Sequence, residues 1–212
     1  KEFTETIFGL FFYTYNGSTH RIVHAGTKLY DDNNVIYSKM AQRKSQYFVY
    51  GSKLYIKDGT SYLTYDGSTV TTVEGYIPTT TIGRGASGGG TLYEDVNLLT
   101  GIRKNGFVGD GVSKDYYVDA ESFDSDYGVR VWINDKEVTT GFTTTPSTGK
   151  VTFTTAPAEP STVGQDNVFI QFRKTVSGAR NKIDKCTLLE VFDNRVFFSG
   201  NPDYPNMLWH CS

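Results

Sequence analysis

The chain has 212 residues, with 21 Lys+Arg against 23 Asp+Glu for a formal net charge of −2, and 15% of it is aromatic. That length suits one large or two small domains with a real core, and 14 Phe, 15 Tyr and 2 Trp argue against disorder. The balanced charge gives no basic footprint for wrapping nucleic acid or an anionic membrane, and no 18-residue apolar run exists to form a membrane-spanning helix.

The longest apolar patch, Ile7 to Tyr13, is only strand-length, and the first residues lack the basic start and small-residue cleavage site of a signal peptide. From there the pattern is strongly β, with branched or aromatic residues alternating with polar ones between two-residue turns. Arg21 to Ala25 turns at Gly26-Thr27 into Lys28-Leu29-Tyr30. Gln46 to Tyr50 turns at Gly51-Ser52 into Lys53 to Ile56. After Asp58-Gly59, the run Ser61 to Tyr65 turns at Asp66-Gly67 into Ser68 to Val73. Gly, Asn and Asp tolerate the positive φ that such hairpin turns require.

Residues 83 to 91 are Gly-rich and read as a flexible linker. Gly83 to Gly88 matches GxGxxG by letter, but it lacks the strand before and the helix after that a phosphate-cradling loop needs. Glu94 to Arg103 is the one helical candidate, short and without a good cap.

A second β unit begins near Phe107. Phe107-Val108-Gly109-Asp110-Gly111 leads to a strand at Asp115 to Val118. Val129 to Ile133 turns at Asn134-Asp135 into Lys136-Glu137-Val138. Lys150 to Thr154 alternates and breaks at Ala156-Pro157, and Asn167 to Arg173 is the last strand of the group. Five or so short strands divided by such turns predict a small β-sandwich. The chain then returns to a hairpin, Leu188 to Phe192, Asp193-Asn194, Arg195 to Phe198.

Three hairpins share the order turn, turn, cation, aliphatic, aromatic: those starting at Gly26, Gly51 and Asp193. Tyr15-Asn16-Gly17-Ser18 also echoes Tyr65-Asp66-Gly67-Ser68. Such repetition fits propeller blades, and equally fits any antiparallel meander that reuses one turn chemistry. The material suffices for two or three blades, and the pattern breaks off at Trp209-His210-Cys211-Ser212, so the chain reads as a fragment of a longer polypeptide. The expected architecture is all-β. A propeller-like hairpin segment spans 1–90, a linker 91–104 and an inserted β-sandwich 105–176, with a return to the propeller-like segment at 177–212.

Together, Phe107-Val108-Gly109-Asp110-Gly111, Val131-Trp132-Ile133-Asn134, Gly149-Lys150-Val151-Thr152-Phe153 and Ala156-Pro157 resemble a small β-sandwich module of bacteriophage tail and virion proteins, with Asp135 where that module usually has Gly. Asn97-Leu98-Leu99-Thr100-Gly101 looks like a lead-in segment of phage structural proteins. Asn194 to Pro202, Tyr204-Pro205-Asn206 and Trp209 are similar to a stretch of tail-nozzle or DNA-stabilisation proteins of short-tailed phages. The resemblance covers roughly residues 92 to 212. It implies a propeller-like or β-rich virion part that caps a portal channel and carries no catalytic residues.

The residues themselves show little chemistry. His20, His24 and His210 are the only histidines, no Ser sits in GxSxG, and His20 and His24 read as ordinary strand residues on one face. Asp119, Glu121, Asp124 and Asp126 form one acidic loop and Asp31-Asp32-Asn33-Asn34 another, yet neither has the spacing of a Ca²⁺ loop. Cys186 and Cys211 match no metal-ligand spacing, read as two ordinary partly buried thiols, and fit a reducing compartment. Tyr47, Tyr50, Tyr55, Tyr62 and Tyr65 could line a contact surface, although strand alternation requires some of them in the core.

The expectation is therefore a non-enzymatic structural component of a phage or prophage tail–neck assembly, without cofactor, metal or membrane. It would be located in the virion and assembled in the bacterial host cytoplasm. Its partners would be other virion proteins, with a homo-oligomeric ring in the full-length protein and packaged DNA in a lumen as a further candidate. The rival is a carbohydrate-binding or host-adhesion module that stacks Tyr and Trp on sugars. A weaker third option is a glycan-cleaving enzyme, which would need two carboxylates facing each other across a cleft.

Overall fold

A computed structural model describes residues 2–81 and 97–211, and in it the chain is all-β with several antiparallel sheets. It divides into two compact units, one built from Lys1–Glu74 and Gly178–Ser212, the other from Gly75–Ser177.

The first unit holds three sheets. Strands β1 (Ile7–Tyr15), β2 (Ser18–Ala25), β3 (Lys28–Asp31) and β4 (Asn34–Tyr37) form a meander in sequence order. So do β5 (Gln46–Tyr50), β6 (Lys53–Lys57), β7 (Tyr62–Tyr65) and β8 (Val70–Thr72). Their turns carry the positive φ that the sequence requires, at Asn16 (48°) and Gly17 (78°) and again at Gly51 (54°) and Ser52 (61°). Alternation then sorts each strand into two faces. Tyr13, Ile22 and Leu29 of the first sheet meet Leu54, Ile56, Leu63 and Tyr65 of the second in one buried cluster.

The third sheet of this unit lies at the far end of the chain. A single helical turn, α1 (Asn181–Asp184), precedes two strands that pair at the Asp193-Asn194 turn. With the last strand, Trp209–His210, they make a three-stranded antiparallel sheet. Its buried Phe198 meets Tyr62 edge-on, with ring centroids 5.2 Å apart. The second sheet is therefore covered on both faces, by the first sheet on one side and the third on the other.

The second unit contains the remaining eight described strands. These are β9 (Thr79–Thr81), β10 (Ile102–Phe107), β11 (Asp115–Tyr117), β12 (Arg130–Ile133), β13 (Lys136–Val138), β14 (Phe142–Thr145), β15 (Lys150–Phe153) and β16 (Val168–Arg173). The third-sheet strands of the first unit are then β17 (Leu188–Phe192), β18 (Arg195–Ser199) and β19 (Trp209–His210). Five strands order as β13-β12-β16-β10-β9 and three as β11-β15-β14, and the two sheets enclose one core. Phe107, Val131, Ile170 and Phe172 enter it from one sheet, and Tyr116, Val151 and Phe153 from the other.

By its contacts the second compact unit runs from Gly75 to Ser177, a span that takes in both the linker 91–104 and the sandwich 105–176 of the sequence reading. Several sequence expectations need correction. Thr79–Thr81 pairs in parallel with Lys104–Gly106, a long-range contact with no local signature because three threonines show no apolar alternation. Glu94 to Arg103 does not form the expected helix where it is described. Residues 97–101 bend, held by Asn97 Oδ1 accepting from Leu99 N and Thr100 Oγ1 from Ile102 N, and Ile102 opens β10. Side-chain acceptors at turn positions win there over weak helix propensity. The GxGxxG-like Gly83 to Gly88 lies outside the described residues.

The three look-alike hairpins are also not equivalent. The Gly26 turn joins the second and third strands of its sheet, whereas the Gly51 and Asp193 turns join the first and second. The 25-residue spacing thus reports shared turn chemistry. The counterpart of the Gly51 turn in the first sheet is Asn16-Gly17.

Candidate functional site

The polar groups most capable of chemistry are buried between sheets. In the first unit His24 is 0% exposed, with Nδ1 3.0 Å from Ser45 Oγ and Nε2 3.1 Å from the Gly26 carbonyl. A carbonyl only accepts, so Nε2 carries the proton and Nδ1 accepts from the Ser45 hydroxyl. Ser45 Oγ also meets Tyr47 Oη at 2.7 Å. Burial pushes the His24 imidazole below its ordinary value, opposed by the Gly26 hydrogen bond, and burial raises the Tyr47 phenol to about 12. A Ser–His contact suggests a nucleophile and its base. Here, however, the hydroxyl is buried and packed so tightly against Gly9 that a Cβ there would strike it, and a carbonyl stands where an orienting carboxylate would be.

His20 lies on the same face of β2, and its Nδ1 is 2.8 Å from Asp31 Oδ2. That carboxylate also accepts from the Tyr65 hydroxyl at 2.7 Å, which ties the first sheet to the second. Tyr13 adds a parallel tie by donating to the Ser52 carbonyl at 2.5 Å.

Lys57 is the least expected buried residue, at 1% exposure. Its Nζ donates to the Asp184 carbonyl at the end of α1. Burial lowers its ammonium to about 8, with Asp184 and Asp58 opposing. Asp58 is itself fully engaged, accepting from the backbone amides of Ala41, Thr60 and Ser61. Cys186, 0% exposed beside this group, donates to the Lys182 carbonyl, and burial pushes its thiol up. Cys211 is an exposed free thiol, so only one of the two cysteines fits the expectation of burial.

The acidic loops serve as anchors. Arg173 reaches Asp124 Oδ2 at 2.6 Å and Asp126 Oδ2 at 2.7 Å, and Asp119 lies 3.8 Å from Arg103. Glu121 is exposed. In the other loop Asp31 serves His20 and Tyr65, and Asp32 accepts from Arg21 N. Among the described residues no three His, Cys, Asp or Glu converge as a metal site.

The motif segments of the second unit meet at one corner. Asn167, 5% exposed, accepts from Gly109 N at 2.8 Å and donates to the Ala158 carbonyl at 2.9 Å and to Asn134 Oδ1 at 3.2 Å. Gly111 N bonds to the Pro157 carbonyl at 2.9 Å. Gly109 is obligatory because a Cβ there would run into the Ala158 carbonyl. The glycines, Asn134 and Ala156-Pro157 thus share a structural task, and Asn167, which sequence reading took as a plain strand start, organises it.

What remains available to a partner is surface. Leu10 (57%) and Phe12 (62%) on β1, and Leu188 (57%) and Phe192 (71%) on β17, are exposed. A shallow groove of about 310 Å³ runs along the third sheet past Gln46, Leu188, Glu190, Phe197 and Leu208. In the second unit, half-buried Trp132 and Phe169 are cross-strand neighbours, with Lys104 Nζ 4.2 Å and 4.9 Å from their ring centroids. Of the five tyrosines read as a possible surface, Tyr62 and Tyr65 are buried and Tyr47 and Tyr55 half-buried, leaving Tyr50 exposed. His210 is exposed beside Phe197.

No helix among the described residues is long and apolar enough to cross a membrane. No protein-family description matches the chain, and no curated protein or solved structure is significantly similar to it.

Proposed function

We propose that the chain is a non-enzymatic structural component of a phage or prophage tail–neck assembly, acting through contacts between β-sheet faces. One observation carries the reading. The Ser, His, Lys and Asp side chains that could do chemistry are bonded into the structure, whereas Leu10 and Phe12 on β1 and Leu188 and Phe192 on β17 stand exposed on strands. Apolar faces of this kind mark interaction sites. The resemblance of residues 107–157 to a virion module supports the phage assignment, and the spatial convergence of those residues gives its motif a structural meaning. On this reading the partners are other virion proteins, and assembly takes place in the bacterial cytoplasm. A near-neutral wall would let packaged DNA slide past without sticking.

The test is detection of the chain, by a specific antibody, in particles purified from induced cultures of the source bacterium. Presence in the particle fraction is expected. Presence in the lysate with absence from intact particles rejects the reading. Trp132 and Phe169, side by side on the sandwich, favour carbohydrate binding as the alternative. Sugar binding on a glycan array that is lost in Trp132→Ala would establish that alternative.

A further inference from the structure

The start of β1 runs along an edge of the first sheet and is lightly held. Thr4 to Ile7 are exposed. Apart from the ladder to β2, three contacts fasten this stretch. Gly26 N donates to the Thr6 carbonyl at 3.0 Å, Ser45 N donates to the Phe8 carbonyl at 3.1 Å, and Phe3 meets Tyr30 edge-on. The ladder slips between Ile7 and Gly9, so His24 of β2 stands opposite Gly9 at the irregularity, with the Phe8 ring 5.3 Å away. The later part of β1 is anchored more firmly, since Tyr13 is fully buried and donates to the Ser52 carbonyl.

Behind this stretch the hydrogen bonds form one chain with a single direction. Tyr47 donates to Ser45 Oγ, Ser45 donates to His24 Nδ1, and the His24 Nε2–H donates to the Gly26 carbonyl. A proton added at Nδ1 makes that nitrogen a donor, so the Ser45 hydroxyl must accept from it and swing its own proton to Tyr47. The Tyr47 phenol is then left holding a proton without an acceptor, because Ser45 is its one hydrogen-bond partner among the described residues. Protonation therefore buries a cation and an unmatched donor together. The neighbouring groups do not offset this. Phe8 and Gly9 of β1 and Leu29 of β3 bring no charge. Asp58, just after β6, attracts the imidazolium but is committed to the amides of Ala41, Thr60 and Ser61. Glu5 lies against Gly26, and His20, further along β2, is bound to Asp31.

We propose that residues 2–9 form an acid-released strap, in which proton uptake by His24 opens the start of the edge strand and leaves the rest of the first unit folded. An edge segment with few bonds is the least costly path by which water reaches the ring. Opening hydrates the imidazolium and gives the Ser45 and Tyr47 hydroxyls water to bond. The lowered value of the buried imidazole agrees in sense, since burial disfavours its charged form.

Amide hydrogen exchange on the whole chain, corrected for the intrinsic rate at each pH, tests the strap. Between pH 7 and pH 5 the opening measured at Gly26 N and Ser45 N should rise by about fivefold or more. Its ceiling is about 25-fold, reached if the opened ring takes its proton at the ordinary value of 6.5 while the closed one takes none. At either pH these two amides should open about tenfold or more as often as those of β6 and β7, because local opening leaves the core intact. His24→Gln, which keeps a donor and an acceptor, should abolish the acid rise. Nitrogen chemical shifts of the wild-type imidazole at pH 7 should place the proton on Nε2. Equal opening at the strap and at β6, no acid rise, a rise that persists in His24→Gln, or a proton on Nδ1 each overturns the proposal. If His24→Gln fails to fold, the wild-type comparison of strap with β6 and the imidazole shifts still decide. The outcome is independent of whether the chain is found in virions.

Discussion

Lys57 sets a clear pH signature at the scale of single residues. Its ammonium is lowered from 10.5 to about 8 by burial, so between those values the folded chain binds fewer protons than the unfolded one. Its contribution to stability therefore rises with pH across that window, by about 2 kcal/mol from pH 8 to 10. Below pH 8 both states hold the proton and the cost of burying the charge is fully present. The buried tyrosines act in the opposite sense. Burial raises the Tyr47, Tyr62 and Tyr65 phenols, so above pH 10 the unfolded chain loses protons that the folded one keeps, and stability falls. The raised Cys186 thiol acts in the same sense as the tyrosines from about pH 9 upward, so denaturant melts across this range should peak near pH 9 in the wild type. In Lys57→Met the rise from pH 8 should vanish, because the group that titrates is gone. His24 governs the acid side. Its lowered value means that the unfolded chain gains a proton first as pH falls below 6.5, so stability drops there. His24→Gln, which keeps a donor and an acceptor, should flatten that slope in melts from pH 7 to 5.

At the scale of elements, the corner around Asn167 is the sharpest test of packing. Asn167→Ala removes three hydrogen bonds and leaves Gly109 N unsatisfied in the interior, which should cost about 1–3 kcal/mol. Asn167→Asp should cost more, since it loses the donor and turns a carboxylate toward the Ala158 and Asn134 oxygens it formerly served. Chemical denaturation of both variants gives the ranking, and equal losses would show that the amide donor is idle. The glycines and the Ala-Pro of this corner were legible in the sequence as motif residues, because their constraint is local backbone geometry. Asn167 was not, because its three partners come from three other segments. The same division runs through the fold. Turns at Gly51, Asn134-Asp135 and Asp193-Asn194 could be read directly, since positive φ restricts residue type. The parallel pairing of Thr79–Thr81 could not, nor could α1, a four-residue turn with no side-chain cap. The candidate contact faces were half legible. Ile7 to Tyr13 was visible as an apolar strand, but the exposure of its Leu10 and Phe12 depends on which sheet lies where.

At the scale of the whole molecule, the two units have separate cores. The cluster around Phe107, Ile170 and Phe172 draws only on the second unit, and the cluster around Tyr13, Leu54 and Ile56 only on the first. The chain nevertheless enters the first unit, leaves it after Glu74 and returns at Gly178, so the third sheet can join its stack only after the chain has passed through the second unit. Core damage should therefore register by unit. Phe172→Ala, at a fully buried ring, should cost about 3–5 kcal/mol. In native-state hydrogen exchange, that loss should appear on β10, β12 and β16, while protection on β2, β6 and β7 stays at wild-type levels. Leu54→Ala should show the mirror image, at about 2–5 kcal/mol. If Phe172→Ala instead lowered protection on β6 as much as on β16, the units would unfold as one, and the separate cores would be a division of contacts without a division of stability.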